Sequence, residues 1–305
     1  MINGIINVYK EAGFTSHDVV AKLRGICRQK KIGHTGTLDP EAVGVLPVCL
    51  GSGTKLCDML TDKSKEYEAV LLLGQVTDTQ DVTGTVLEEH EVNVEEEQAV
   101  EAIRSFTGVY NQIPPMYSAL KVNGKKLYEL ARAGKEVERQ SRPVEIHSID
   151  ILSVSLPEIT FRVSCSKGTY IRTLCHDIGQ KLGCGGTMKS LKRTRVGIFT
   201  IDNALKLSQL EELAAEGRLE EKVTPVEAMF AELPALTVKT AFTGLIENGN
   251  AFFPGQTEEK PAPQDGRQVR VYDGKGRFYG IYAFSEEKGR YQPVKMFLQL
   301  NAPKQ

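Results

Sequence analysis

The sequence predicts an α+β fold, with a mixed β-sheet core, flanking helices and a small β-rich C-terminal unit. Three observations carry this. Strand-like and helix-like segments alternate irregularly over the first 225 residues, without the regular βαβ order of a doubly wound parallel sheet. The stretch "QVRVYDGKGRFYGIYAF" reads as a hairpin turning at Asp273-Gly-Lys-Gly276. Between these regions, around 225–235, a Glu-rich helix ends, Pro225 and Pro234 appear, and the pattern changes to short strands with tight turns.

Taken in order, Ile5 to Tyr9 predicts a short strand, and Ser16 is placed as the cap of a helix running to Arg28. Tyr67 to Leu73 is a continuous apolar run of the kind found in central strands. Residues 94–106 form an amphipathic helix ending at Gly108, with acids in its first turn where the helix dipole favours them. "YSALKVNGKKLYELARAG" predicts a strand, an Asn123-Gly124 turn and a short helix stopped by Gly134. Strands follow over 144–155 and 159–165, and "SKGTYIRTLCHDIGQKLG" turns from strand into a helix ending at Gly183. The last helix before the boundary runs from Ser208 to Gly217. We divide the chain at that boundary, into 1–230 and 233–305, the latter a small unit that would lean on its neighbour.

Composition is that of a globular chain, 41% hydrophobic and 25% charged, and no apolar run approaches the roughly 18 residues of a membrane span. The N-terminus lacks the features of a secretory leader. Six scattered cysteines, with no C-x-x-C, read as reduced thiols in a cytoplasm, and no metal-ligand spacing appears. No P-loop, dinucleotide fingerprint or Ser-His-Asp arrangement is legible, so neither cofactor nor metal is expected. The net charge of −1 conceals segregation: residues 67–115 hold 1 basic and 10 acidic side chains, and residues 116–200 hold 15 basic and 7 acidic. Such a basic stretch could form a face for a polyanion.

Three places pair a reactive group with a geometry that could expose it. In "GHTGTLDP" (33–40), Pro40 keeps Asp39 out of α geometry, so a stiff loop presents one carboxylate, as a nucleophile or base requires. Asp-Pro turns are also common for purely conformational reasons. Arg172 falls in the first turn of a helix, where a cation opposes the dipole; it is either a surface arginine or the partner of a buried anion such as Asp39. Tyr67 heads its strand either as core or as a flat surface for a flipped base.

Together, "GHTGTLDPEAVGVLPVCLG" (33–51), "KEYEAVLLLGQVTDTQDVTG" (65–84), "IPPMYSALKVNGKKLYELARAG" (113–134) and "CSKGTYIRTLCHDIGQKLG" (165–183) closely resemble the stand-alone bacterial tRNA pseudouridine synthases of the TruB family. The resemblance spans nearly all of residues 1–200 and implies a pseudouridine synthase core, a "thumb" insertion at about 116–142, and a divergent PUA-like RNA-binding module at the C-terminus. It implies that uridine 55 in the tRNA T-loop is flipped out, its N1–C1′ bond broken, and C5 joined to C1′. Asp39 then occupies the catalytic aspartate position, Tyr67 that of the tyrosine packing on the target base, and Arg172 that of the aspartate's partner. Tyr170 and Leu191 fall on active-site walls, His34 on the histidine that helps to extrude the nucleotide, and Lys10 on a lysine supporting the loop; these join the substrate-binding set.

On this reading the basic stretch clamps tRNA phosphates through Lys121, Lys125, Lys126, Arg132, Arg139 and Arg142, and then Lys189, Lys192 and Arg193. tRNA is the expected partner, with no membrane, no obligatory protein partner and a monomeric chain. Rival readings are a guide-RNA-dependent synthase of the same superfamily, an RNA-folding chaperone, and a carbohydrate hydrolase. The last lacks a second carboxylate convincingly placed beside Asp39.

Overall fold

The computed structural model describes residues 1–122, 124–259 and 262–297. The apolar run Gly4–Lys10 forms β1, and Ser16–Ile26 forms α1. The cap of α1 is Thr15, one residue before the Ser16 expected from sequence. Thr15 accepts the Asp18 N–H while the Asp18 carboxylate accepts the Thr15 N–H, a reciprocal pair that satisfies two donors at once. Ser16 turns inward, and its hydroxyl accepts the Leu38 N–H at 3.0 Å. The helix stops at Ile26, short of Arg28, which adopts a left-handed φ of 48°.

β2 (Ile32–His34) and β3 (Val43–Leu50) bracket the loop bearing Asp39, and α2 (Cys57–Thr61) leads into β4 (Lys65–Leu73). β4 is central, as its apolar run suggested, but begins two residues earlier and alternates. Lys65, Tyr67, Ala69, Leu71 and Leu73 are buried, and the residues between them are half-buried. Lys65 tolerates this position because its ammonium donates to the carbonyls of Thr61 and Lys63. A small hairpin, β5 (Gln75–Thr77) with β6 (Val86–Glu89), precedes α3 (Glu96–Arg104) and β7 (Gly108–Gln112). Lys121–Val122 (β8) pairs with Lys125–Lys126 (β9), and α4 (Leu127–Arg132) follows, ending before the left-handed Gly134. Asn123, half of the expected turn pair, lies outside the described residues.

β10 (Arg142–Ser155), β11 (Glu158–Cys165), α5 (Ile171–Leu182), β12 (Gly186–Val196), β13 (Phe199–Thr200) and α6 (Leu207–Ala215) complete the larger part. Its nine-stranded sheet runs β1-β3-β12-β4-β11-β10-β7, with β2 added to β3 and β13 to β12. Only the short β12–β3 contact on this path is parallel, so the sheet is mixed. That contact requires Gly44: a Cβ there would stand 2.2 Å from the Arg193 carbonyl oxygen. One core joins β4, β11 and β12 to α3 and α5 through Leu71, Phe161, Val163, Leu174 and Ile178. A second joins β1 and β3 to α1 and α6 through Ile6, Val19, Leu23, Val48 and Leu210.

Beyond residue 230, β14 (Ala235–Val238), α7 (Thr243–Glu247), β15 (Gln268–Asp273), β16 (Phe278–Ser285) and β17 (Arg290–Met296) build a four-stranded sheet, β14-β15-β16-β17. The β15–β16 turn is held by Asp273, whose carboxylate accepts the N–H groups of Lys275 and Arg277 at 2.9 Å each. This sheet has its own core of Val238, Phe252, Val271, Tyr282 and Tyr291. Ile281 and Phe297 also pack with Ile5, Val45, Leu56 and Phe230, so it leans on the larger part through an apolar seam. All six cysteines are free thiols, four of them buried. Among the described residues no helix is long and apolar enough to cross a membrane.

Candidate active site

The loop between β2 and β3 is held from several sides. The Lys10 side chain is fully buried at the end of β1, and its ammonium donates to the carbonyls of Glu11, Pro40 and Ala42 at 3.1, 2.7 and 2.6 Å. Burial lowers its pKa to about 8, opposed by Glu41 and Asp39. Ser16 holds Leu38, and the Gly13 N–H reaches the Pro40 carbonyl at 3.1 Å. Gly36 adopts φ 99°, a conformation that a side chain would strain. The Arg193 guanidinium, 1% exposed, donates to the Val45 carbonyl at 2.7 Å and the Gly36 carbonyl at 3.3 Å, bridging the loop's two sides.

On this frame the Asp39 side chain is 38% exposed, while its partner Arg172 is 7% exposed. Arg172 Nε lies 3.0 Å from Asp39 Oδ2 and one terminal nitrogen 3.3 Å from Oδ1, so the pair is bidentate. Arg172 also donates to the carbonyls of Thr79 at 3.0 Å and Tyr117 at 2.9 Å, and lies 3.6 Å from Asp81 Oδ2. Burial raises the Asp39 pKa above the ordinary carboxylate value; Arg172 opposes that, Asp81 adds to it, and Lys10 opposes it. The arrangement presents one edge of an oriented carboxylate to solvent, with a cation fixed behind it.

Tyr67 is buried directly across the strand pair from Arg193, in one apolar cluster with Leu38, Ala42 and Leu191. Burial raises its phenol's pKa, and Arg193 works against the rise. Tyr170 caps α5; its backbone N–H and carbonyl are both held by the Gln112 amide, at 2.8 and 3.0 Å. Burial raises its pKa as well. His34 packs edge-on against His17, ring centroids 5.2 Å apart, with a buried Nδ1 that has no hydrogen-bond partner. Burial, His17 and Arg193 all lower its pKa, which favours the neutral ring. The structure therefore gathers Asp39, Arg172, Tyr67, Leu191 and the Lys10 ammonium around one loop, with His34 at its start.

Several expectations change. Lys10 has no exposed surface, so it meets a substrate only through the loop it holds. Arg193 cannot clamp phosphate, because its guanidinium is buried on the two loop carbonyls. Lys189 and Lys192 are paired with Glu158 and Glu68, and Arg139 with Glu136 and the Pro114 carbonyl. Lys121 and Lys125 are exposed and make no side-chain hydrogen bond or ion pair among the described residues, whereas Lys126 bonds the Tyr128 hydroxyl at 3.1 Å. Tyr117, four residues before their hairpin, gives its carbonyl to Arg172. Sequence reasoning missed Asp81. The run "TDTQD" shows two acids in a polar turn, but nothing in it reveals that one faces an arginine ninety-one positions later.

Residues 24–171 match the TruB family pseudouridylate synthase (N terminal domain), and residues 172–231 the tRNA pseudouridylate synthase B C-terminal domain. The chain is 56% identical to tRNA pseudouridine synthase B of Lachnoclostridium phytofermentans, over 97% of this chain and 100% of that one. It is 46% identical to tRNA pseudouridine synthase B of Alkaliphilus oremlandii, over 97% of both. Among solved structures, a chain of a Cbf5-Nop10-Gar1 complex superposes with a TM-score of 0.71 at 26% identity, covering 97% of this chain and 85% of that one. With family matches running from residue 24 to 231 and relatives alike over nearly their whole length, the chain belongs to the TruB family of pseudouridylate synthases.

Proposed function

We propose that the chain isomerises uridine 55 in the T-loop of tRNA to pseudouridine, with Asp39 as the chemical group. The observation that carries this is the half-open Asp39 carboxylate, held bidentate by a buried Arg172 on a loop that buried cations pin in place. Such a carboxylate is reachable and has a fixed cation opposing the rise in its pKa, which suits carbon–nitrogen bond cleavage at a sugar carbon. Its relatives' names supply the substrate class. Tyr67, Tyr170 and Leu191 wall the flipped base, His34 enters the T-loop in its place, and Lys121, Lys125 and Lys126 take phosphates. The division into a catalytic unit, 1–230, and a PUA-like RNA-binding unit, 233–305, belongs to the same reading, as does action by a cytoplasmic monomer without an obligatory protein partner.

The test is tritium release from C5 of a labelled, unmodified tRNA transcript, with binding measured in parallel. Wild-type protein alone should release tritium, and Asp39→Asn should bind without releasing any. Binding without release by the wild type would overturn the reading in favour of a chaperone or a guide-dependent enzyme.

A further inference from the structure

Gln80 is one of two non-glycine residues with positive φ among the described residues, at 64°, and it lies in the β5–β6 turn beside Arg172. A left-handed conformation is unfavourable for a long side chain and persists where the surroundings over-determine it. Here they do. The Gln80 N–H donates to the Thr77 carbonyl at 3.2 Å, and its own carbonyl accepts the Met188 N–H at 3.0 Å. The Val82 N–H returns to the Met188 carbonyl at 3.1 Å, so the turn is docked on β12 from both sides of Asp81. The Gln80 amide oxygen accepts the hydroxyl of Thr173 at 2.7 Å. Thr173 follows Arg172 in the first turn of α5 and is 2% exposed.

The residues flanking this lock are those that touch Arg172. Thr79, before Gln80, gives Arg172 its carbonyl, and Asp81, after it, gives its carboxylate. Asp81 is fixed in turn by Thr79 and Thr83, whose hydroxyls donate to its Oδ1 at 2.8 and 2.5 Å. We propose that the Gln80–Thr173 hydrogen bond is a positioning lock that fastens the β5–β6 turn to α5, so that Thr79 and Asp81 hold one edge of Arg172 and present its other edge to Asp39. Among the described residues neither makes a hydrogen bond or ion pair with Asp39, whose partner is Arg172; both act through that arginine. The inference rests on the proposed reaction at Asp39.

The groups facing Asp39 are Arg172 from α5, Asp81 from the turn, Lys10 from β1, Tyr67 from β4 and Tyr170 at the start of α5. Only the first two are arranged by the lock. Loosening it should weaken the cation's hold on the carboxylate, and so move the acid limb of the rate profile to higher pH.

The experiment measures kcat, KM and the pH profile of tritium release, with thermal stability, for Gln80→Asn, Thr173→Val, Thr173→Ser and the double variant Gln80→Asn/Thr173→Val. Asn suits the left-handed conformation better than Gln but is one methylene too short to reach Thr173, so the backbone is spared and only the lock is lost. Gln80→Asn and Thr173→Val should each lower kcat on the order of 10-fold at unchanged KM and shift the acid limb upward, short of the ~100-fold that a 1 Å misplacement can cost. Thr173→Ser should retain wild-type behaviour, and the double variant should be no worse than either single one. Wild-type kcat and pH profile in Gln80→Asn would overturn the lock while leaving the proposed function intact. A loss confined to melting temperature or KM would likewise overturn it, reducing the pair to a structural contact. An inactive wild-type protein would overturn the proposed function, and the lock with it.

Discussion

The loop at 33–42 and the proposed thumb at 116–142 both carry cations, disposed in opposite ways. Around the loop, the ammonium of Lys10 and the guanidiniums of Arg172 and Arg193 are buried, and every one is aimed at carbonyls or a carboxylate of the protein itself. On the thumb, Lys121 and Lys125 face solvent with no side-chain partner among the described residues, and Arg132 does no more than lie over the Tyr128 ring at 5.5 Å. A buried cation must be satisfied within the fold and therefore sets geometry; an exposed one costs little to leave unpaired and is available to a phosphate. Charge alone does not distinguish the two kinds.

The largest effect should come from breaking the loop's own pair. Arg172→Gln should lower kcat on the order of 10²–10³-fold, in the range found when one preorganised charge-stabilising donor is removed. It should also move the acid limb. On the proposed reaction the active form is the Asp39 anion, so activity should be present above its pKa and lost as pH falls through it. Burial and Asp81 already raise that pKa, and Arg172 is the first of the groups opposing the rise. Without the guanidinium the pKa rises further, and the acid limb of kcat/KM should appear at higher pH than in the wild type. A limb that stays in place would show that Arg172 orients the carboxylate without governing its charge.

Two substitutions then separate the two kinds of cation. Arg193→Lys preserves charge, but its ammonium cannot reproduce the planar fork that spans the Val45 and Gly36 carbonyls. It should lower kcat about 10-fold and reduce the melting temperature, while leaving the salt dependence of tRNA binding unchanged. Reversing charge at Lys121, Lys125 and Lys126 should do the converse: weaker binding, a log–log salt slope shallower by about 2–3, and unchanged melting temperature. If Arg193→Lys flattened the salt slope, the contrast between buried and exposed cations would fail.

Much of this was legible in advance, unevenly. β4 could be placed at the centre of the sheet because its residues are apolar, and α5 could be ended at Gly183 because a left-handed terminus favours glycine. The Asp39 loop could be found from Gly, Asp and Pro in series. What stayed hidden was orientation across the fold. Arg193 and Lys192 are adjacent in sequence and identical in charge, yet in a strand they face opposite sides; one is sealed under the loop and the other paired with Glu68 at the surface. Ser16 and Thr15 are equally good caps locally. Ser16 lost that role because Leu38, twenty-two positions on, needed an acceptor for its buried N–H. Such competition is decided by long-range packing, which no local pattern records.

The smallest effect concerns Lys10 and is a test of sign. Its pKa is about 8 in the fold and about 10.5 in an unfolded chain. Below pH 8 both states hold the proton, and the fold bears the full cost of a buried charge. Between about 8 and 10.5 the unfolded chain holds a proton the folded one lacks, so this group's contribution to stability increases with pH. Lys10→Met removes that dependence and leaves the Glu11, Pro40 and Ala42 carbonyls without their donor, at about 1–3 kcal/mol. The deficit of Lys10→Met against the wild type, read from urea denaturation, should therefore be larger at pH 9.5 than at pH 7.5. Lys125→Met, on the exposed thumb, controls for the change in overall charge. A deficit that shrank with pH would mean that the three carbonyls stabilise the ammonium more than burial penalises it, and Lys10 would then resemble a paired surface cation rather than a desolvated one.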